Sequence, residues 1–360
     1  VARTMFVAEY GRQPLDSREI SGHLARLSRQ HTTAVAGFDL TFSPVKSVSA
    51  LWAVADPNTA ARIERAHNAA VTEALSFIES HALYTRLGAG GVRQVDTKGL
   101  VAAAFTHRDS RAGDPDLHTH VAVANKVQTD DGRWLSIHSR VLYKANVSAS
   151  EVYNTTLERV LAEDLGVRFA TRPGTPTDRR PVREIDGVSP ALLEVWSSRR
   201  RVIEERRAGL AQSFQATHGR PPTAIEQIAL AQQATLDTRE AKHEPRTLTE
   251  QRITWRTQAL EVCGDEAGLA AMVATALHPT ERRPDAGPAP LDEAWFDQTA
   301  SGMVDTMQRS RSTWQTWHLR AEAYRQARIA EVPRASVEAT VDHLVARASG
   351  NHSVPVTHPT

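Results

Sequence analysis

Three histidines are the residues of this chain best placed to do chemistry together. His118 and His120 alternate around Thr119 in the run Asp116-Leu-His-Thr-His-Val-Ala-Val-Ala-Asn125. Successive side chains of an extended strand point to opposite faces, so these two imidazoles project side by side. His107 closes a second apolar run, Leu100-Val-Ala-Ala-Ala-Phe-Thr-His107, and Arg111-Ala-Gly-Asp-Pro115 between the runs has the chemistry of a turn. If the runs pair as neighbouring strands, the three rings meet. Neutral imidazole is the commonest side-chain metal ligand, and three of them leave coordination positions open, as a catalytic metal requires. The chain holds 15 histidines, so chance alternation competes with this explanation, and spacing alone weighs the two about evenly.

A carboxylate strengthens the case. In Phe38-Asp-Leu-Thr-Phe-Ser43 the apolar residues Phe38, Leu40 and Phe42 alternate with polar ones, the pattern of a half-buried strand that Pro44 ends. Aspartate is depleted in strands. Asp39 is therefore either an edge charge facing water or a carboxylate accepting an imidazole N–H, as partners of metal-bound histidines do. Lys46, among Ser43, Ser47 and Ser49 at the start of a helix, is a candidate phosphate contact.

Together, Phe38-Asp-Leu-Thr-Phe-Ser-Pro-Val-Lys-Ser-Val-Ser49, Phe105-Thr-His107 and Asp116-Leu-His-Thr-His-Val-Ala-Val-Ala-Asn125 resemble the TrwC/TraI-type (MobF) conjugative relaxases of the HUH endonuclease class, the actinobacterial members above all. The resemblance covers roughly residues 1–260. It implies that His107, His118 and His120 bind a divalent metal, with magnesium or manganese expected and zinc the alternative. It implies that Asp39 orients a histidine and assists deprotonation of the nucleophile. The expected activity is site- and strand-specific nicking and transfer of single-stranded DNA at an origin of transfer. A tyrosine attacks the scissile phosphate, leaving a 5′-phosphotyrosyl enzyme and a free 3′-hydroxyl. In the family the nucleophilic tyrosines lie ahead of the Asp39 strand. This chain begins Val1-Ala-Arg-Thr-Met-Phe, and its five tyrosines (Tyr10, Tyr84, Tyr143, Tyr153, Tyr324) form no such cluster. The expectation is therefore a fragment lacking the nucleophile segment and one sheet strand, with Tyr10 a poor candidate at a helix end before Gly11. A rolling-circle replication initiator of the same class and a non-catalytic metal- and DNA-binding remnant are the alternatives.

Several elements must position these residues. Helices are expected over 13–29, from Ser47 and over 59–82, where Ile63, Ala66, Ala70, Ala74 and Ile78 recur at helical spacing. A hairpin over 92–97 and 99–107 is expected around Lys98-Gly99, then a long strand from His118 to Val127 and a turn at Asp130-Asp131-Gly132. A helix over 148–165 capped by Ser148 or Ser150, a β-rich stretch over 167–185 and a helix from Ser189-Pro190 follow. Pro221-Pro222-Thr223 starts the next helix. The helix over 249–262 carries Trp255, a core residue or, alternatively, a stacking platform for a base. The fold class expected is α+β: an antiparallel-sheet palm with helices on one face, followed by a mostly helical region.

Length fits two or three domains. The expected division is a palm at 1–180, a helical DNA-clasping region at 181–280, and at 281–360 a linker followed by the helical start of a helicase-type region. The tail from Ser349 is expected to be disordered. The net charge is only +1, but arginine clusters at Arg179-Arg180, Arg199-Arg200-Arg201 and Arg206-Arg207. In isolation these read as a solvated helix face or a DNA-backbone contact; the resemblance favours contact through Arg200 and Arg201. Arg93, Gln94 and Lys126 are the candidates for reading DNA from the sheet and its loops. A single cysteine, Cys263, rules out an intrachain disulfide and a cysteine zinc cluster. No run reaches membrane-span length, and no Gly-x-x-x-x-Gly-Lys-Ser/Thr loop is present for nucleotide hydrolysis. A cytoplasmic protein is expected, with single-stranded DNA and type IV secretion coupling machinery as partners.

Overall fold

The computed structural model describes residues 2–27, 34–174, 180–241, 244–279 and 291–356. The elements run α1 (Ala2–Tyr10), α2 (Ser17–Leu27), β1 (Gly37–Phe42), α3 (Lys46–Val54), α4 (Pro57–His81), β2 (Tyr84–Leu87), β3 (Arg93–Asp96), β4 (Ala102–Asp109), β5 (Pro115–Ala124), β6 (Val127–Gln128), β7 (Trp134–Leu135), α5 (Ser139–Leu165), β8 (Phe169–Thr171), β9 (Arg183–Ile185), α6 (Pro190–Val195), α7 (Ser198–His218), α8 (Ala224–Asp237), α9 (Leu248–Cys263), α10 (Glu266–Leu277), α11 (Glu293–Gln308), α12 (Thr316–Ile329) and α13 (Val337–Asn351). The class is α+β, as expected.

The central sheet has the order β1-β5-β4, both pairs antiparallel. Along β5 the odd positions Leu117, Thr119, Val121 and Val123 are buried, and the even positions His118, His120 and Ala122 face away from the core. The long helices α4 and α5 pack against each other and supply much of that core through Ile63, Ala66, Ala70, Val152, Leu157 and Leu161. Asp56 caps α4 by accepting from the amides of Asn58 (2.9 Å) and Thr59 (3.1 Å), with Pro57 in the first turn.

Two local expectations are corrected. Lys98-Gly99 joins no hairpin: β3 pairs back onto β2, closed by the Gly88–Gly91 turn, and β4 pairs with β5. Tyr84–Leu87 pairs with β3 over four residues, while β4 gains a longer ladder on the histidine strand. Helix α5 begins at Ser139 rather than Ser148, because Leu142, Ala145 and Ala149 extend its buried stripe. Ser148 is a buried interior residue donating to the Trp317 carbonyl (2.7 Å), and Ser150 bonds back to the Asn146 carbonyl (2.9 Å). The helix expected to run from Ser189 into the arginines is two helices, broken where Trp196 buries itself and donates to Gln258 (2.8 Å).

Helix α9 packs on α3 with Trp255 against Trp52, ring centroids 5.5 Å apart. Trp255 is fully buried and donates to the Gly113 carbonyl (2.8 Å), which corrects the base-stacking alternative. Helix α12 lies along α5, with α13 and α11 outside it. Helix α13 runs to Asn351, so the tail is ordered beyond Ser349. The linker expected at 281–292 lies almost wholly outside the described residues, as does Arg179.

Candidate functional site

The register of the sheet assembles the site. His107 on β4 stands opposite His118 on β5. Thr41 on β1 stands opposite His120, which puts Asp39 diagonally across from that histidine on the same face. The three imidazole centroids lie 5.1 to 5.2 Å from one another, and one ring nitrogen from each falls within 4.8 Å of the others. A register shift between His107 and Asp109 turns the end of β4 into the loop that returns to β5.

Hydrogen bonds on the far side of two rings fix what the near side offers. His120 Nδ1 lies 2.8 and 2.9 Å from the two Asp39 carboxylate oxygens and 3.1 Å from Thr41 Oγ1. His118 Nδ1 lies 2.7 Å from the Asp116 carbonyl oxygen. Carboxylate and carbonyl oxygens only accept, so both Nδ1 atoms carry the proton. The lone pair of each neutral ring is thereby on Nε2, the tautomer that suits a metal ligand. Three imidazoles at this separation, two with fixed tautomers, form a donor set able to hold one divalent cation.

The opposite side of the histidine strand is anchored by a hydroxyl network. Thr119 Oγ1 lies 2.8 Å from His67 Nε2 and 3.1 Å from Thr106 Oγ1, and His67 Nδ1 lies 2.8 Å from the Tyr153 hydroxyl. His67, Thr119 and Tyr153 are all buried. Burial, and to a smaller degree the nearby His118, holds the His67 imidazole down at about 4. Burial likewise pushes the Tyr153 phenol well up, so that tyrosine is neutral packing and not a nucleophile.

A cavity of about 730 Å³ opens in front of the triad. Besides the histidines it is lined by Asp116, Arg108, Arg111, Arg199, Arg239 and Arg246. Helices α7 and α9 grip the loop beneath it. Ser198 donates to Asp114 through its amide (3.1 Å) and hydroxyl (2.6 Å), and Gln251 donates to Asp109 (2.8 Å).

These observations meet an independent one: a sequence model of the TrwC relaxase family matches residues 5–262, more than half of the chain. The chain belongs to the TrwC relaxase family. Its TrwC-type match extends to the multifunctional conjugation protein TraI of Escherichia coli, 34% identical over 173 residues, which are 47% of this chain and 9% of that protein. A second TraI, from strain K12, is 38% identical over 120 residues, 32% of this chain and 7% of that protein. The chain thus spans less than a tenth of the length of these curated relatives. Among solved structures it is similar to the conjugative relaxase TrwC in complex with oriT DNA in a copper-bound form, with a TM-score of 0.53, 28% identity, and 71% of this chain and 85% of that one covered. It is similar also to TrwC complexed with a 27-mer DNA comprising the recognition hairpin and the cleavage site, with a TM-score of 0.50, 29% identity and coverage of 71% and 89%.

Within this TrwC-type frame none of the other DNA-binding candidates lines the triad cavity. Lys46 donates to the Pro115 carbonyl (2.7 Å) and is held below the usual lysine range by burial. Arg200 and Arg201 line a different cavity together with Lys46, Arg172 and Glu184, and Arg200 pairs with Glu204 (2.9 Å). Arg93 and Gln94 sit on β3, and Lys126 is exposed after β5; none of the three lines the triad cavity. Tyr10 packs on Phe6 and His23, and none of the five tyrosines lines that cavity. Sequence reasoning placed Arg199 in a candidate contact stretch but chose Arg200 and Arg201 from it, and it missed Arg239 and Arg246. Arg199 was within reach: one residue along a helix turns the side chain by about 100°, so the phase of α7 separates it from Arg200.

Proposed function

We propose that this chain is the DNA-handling relaxase portion of a conjugative transfer protein. It binds single-stranded DNA at an origin of transfer and presents one phosphodiester to a divalent cation held by His107, His118 and His120. The observation that carries the reading is the convergence of the three imidazoles with Nδ1 of His118 and His120 already bonded, which leaves Nε2 for the cation.

A bound divalent cation would offset charge on the phosphate oxygens and fix the phosphate against an incoming hydroxyl. Asp39 holds the His120 ring in place and keeps its proton on Nδ1. Arg199, Arg239 and Arg246 supply positive charge to the flanking phosphates. An imidazole set suits zinc directly; magnesium or manganese completes its shell with phosphate oxygen and water, and these two are the proposed native ions. The whole protein is proposed to nick and rejoin DNA through a phosphotyrosine: a tyrosine oxygen bonds to phosphorus, the bond to the 3′-oxygen breaks, and that oxygen leaves as a hydroxyl. A cytoplasmic site of action and delivery of the DNA to type IV secretion coupling machinery belong to the same proposal.

For the chain by itself a second reading is favoured by the placement of its tyrosines: a metal- and DNA-binding unit without its own nucleophile. The test is a labelled origin-of-transfer oligonucleotide with manganese, analysed on a denaturing gel. Metal-dependent retention without a covalent band supports the binding unit. A covalent adduct that disappears in Tyr10→Phe assigns catalysis to this chain. No DNA binding with or without metal would overturn both.

A further inference from the structure

A second cavity, of about 570 Å³, lies between the C-terminal end of α4, the β2–β3 ribbon, the start of α5 and the start of α12. It shares no lining residue with the cavity of the triad. Arg86, Arg140, Lys144 and Arg320 line it, and among the described residues its lining includes no carboxylate. Arg320 is held from outside by Asp342 (2.8 Å) and Glu338 (3.4 Å) of α13. The other three cations have no acid in the wall. His138 lines the same cavity; burial first, then Arg86, Arg140 and Lys144, hold its imidazole below the ordinary range. Lys144 Nζ sits 5.4 Å from the centre of the Trp317 ring, while Trp317 Nε1, a donor only, is buried without a hydrogen-bond partner.

A carboxylate-free pocket walled by four cations suits an anion with several acceptor oxygens. On the ribbon, Gln94 stands opposite Arg86 on the face that lines the cavity, whereas Arg93 alternates to the other face. Arg86, Arg140 and Lys144 are exposed, so a phosphate of a DNA strand running past the opening can reach them. We propose that this cavity seats a backbone phosphate of DNA, and that α12, which lies beyond the stretch matching the relaxase family, thereby takes part in holding the DNA. The proposal rests on the DNA-binding reading above and extends it to a second place on the molecule.

The test is the affinity of the full chain for a fluorescein-labelled DNA hairpin with a single-stranded tail, followed by anisotropy across a salt series. Arg140 and Lys144 are exposed, so Arg140→Gln with Lys144→Gln leaves the fold intact. The expected result is about tenfold weaker binding near 0.1 M salt and a salt slope shallower by about one. Manganese binding is expected to be unchanged. Arg65→Gln with Arg334→Gln, which removes the same charge from exposed sites elsewhere, is expected to alter neither affinity nor slope by a comparable amount. Equal losses in the two double variants, or no loss in the first, would overturn the proposal while leaving the function standing. Tight calorimetric binding of inorganic phosphate, abolished in the first variant while DNA binding stays intact, would assign the pocket to a free phosphate and overturn it too. A parent chain that binds no DNA at any salt would remove this proposal and the reading it rests on together.

Discussion

At the scale of the residue, the account depends on which atom of each ring is occupied. Asp39 bonds His120 Nδ1 through both its oxygens, so Asp39→Asn removes the charge and keeps the shape. Metal affinity is expected to fall about 10- to 100-fold, measured by calorimetry, with the melting temperature hardly moved. His67 carries a different consequence. Its folded imidazole titrates at about 4 against an ordinary 6.5, so between those values the unfolded chain binds the proton and the folded one does not. The stability this contributes is complete above about pH 6.5 and drains as pH falls towards 4, on the order of 3 kcal/mol across the window. His67→Phe is expected to be less stable at neutral pH and to show a flatter acid limb in urea unfolding; an unchanged slope would place the titration elsewhere. The three histidines and Asp39 were legible because alternation in a strand fixes which side chains share a face. His67 was not, because a lone histidine on a helix gives no sign that a threonine 52 residues further along the chain will complete it.

At the scale of the element, strand register and helix docking do the positioning. The ladder that aligns His107 with His118 could be read from the two apolar runs, whereas the pairing of β3 could not: hairpin chemistry at Lys98-Gly99 loses to a longer ladder elsewhere. Docking of α12 on α5 was equally hidden, since it depends on charges far apart in the chain. Glu151 pairs with Arg325 (2.7 Å) and Arg328 (2.9 Å), and Glu158 with Arg328 (3.2 Å) and Arg183 (2.9 Å), all nearly buried. Arg325 also bonds Glu322. Breaking such a network from one side leaves buried charge uncompensated. Arg325→Met is therefore expected to cost about 3–5 kcal/mol in denaturant unfolding, with the triad's metal affinity preserved in the folded fraction.

At the scale of the whole molecule, a net charge of +1 conceals where the positive charge is. The cavity in front of the triad gathers five arginines against two aspartates, Asp109 and Asp116, and acidic residues elsewhere make up the balance, so composition could not signal a nucleic-acid surface that the fold assembles locally. Arg199→Gln with Arg239→Gln is expected to weaken DNA binding and to flatten its salt dependence by up to about two units, read from anisotropy titrations. The family match and the antiparallel palm were both reachable from three short segments, because those segments lie on the three strands that build the site. The helices that grip the loop beneath it were legible as helices but not in that position, since the face a helix presents is decided by what it docks against. The central claim is that three imidazoles grip one divalent cation. Calorimetric titration of manganese into the parent chain and into His118→Ala, with circular dichroism to establish that both are folded, tests it most directly. One site in the parent and none in the variant is the expected result; equal affinity in both would contradict the account.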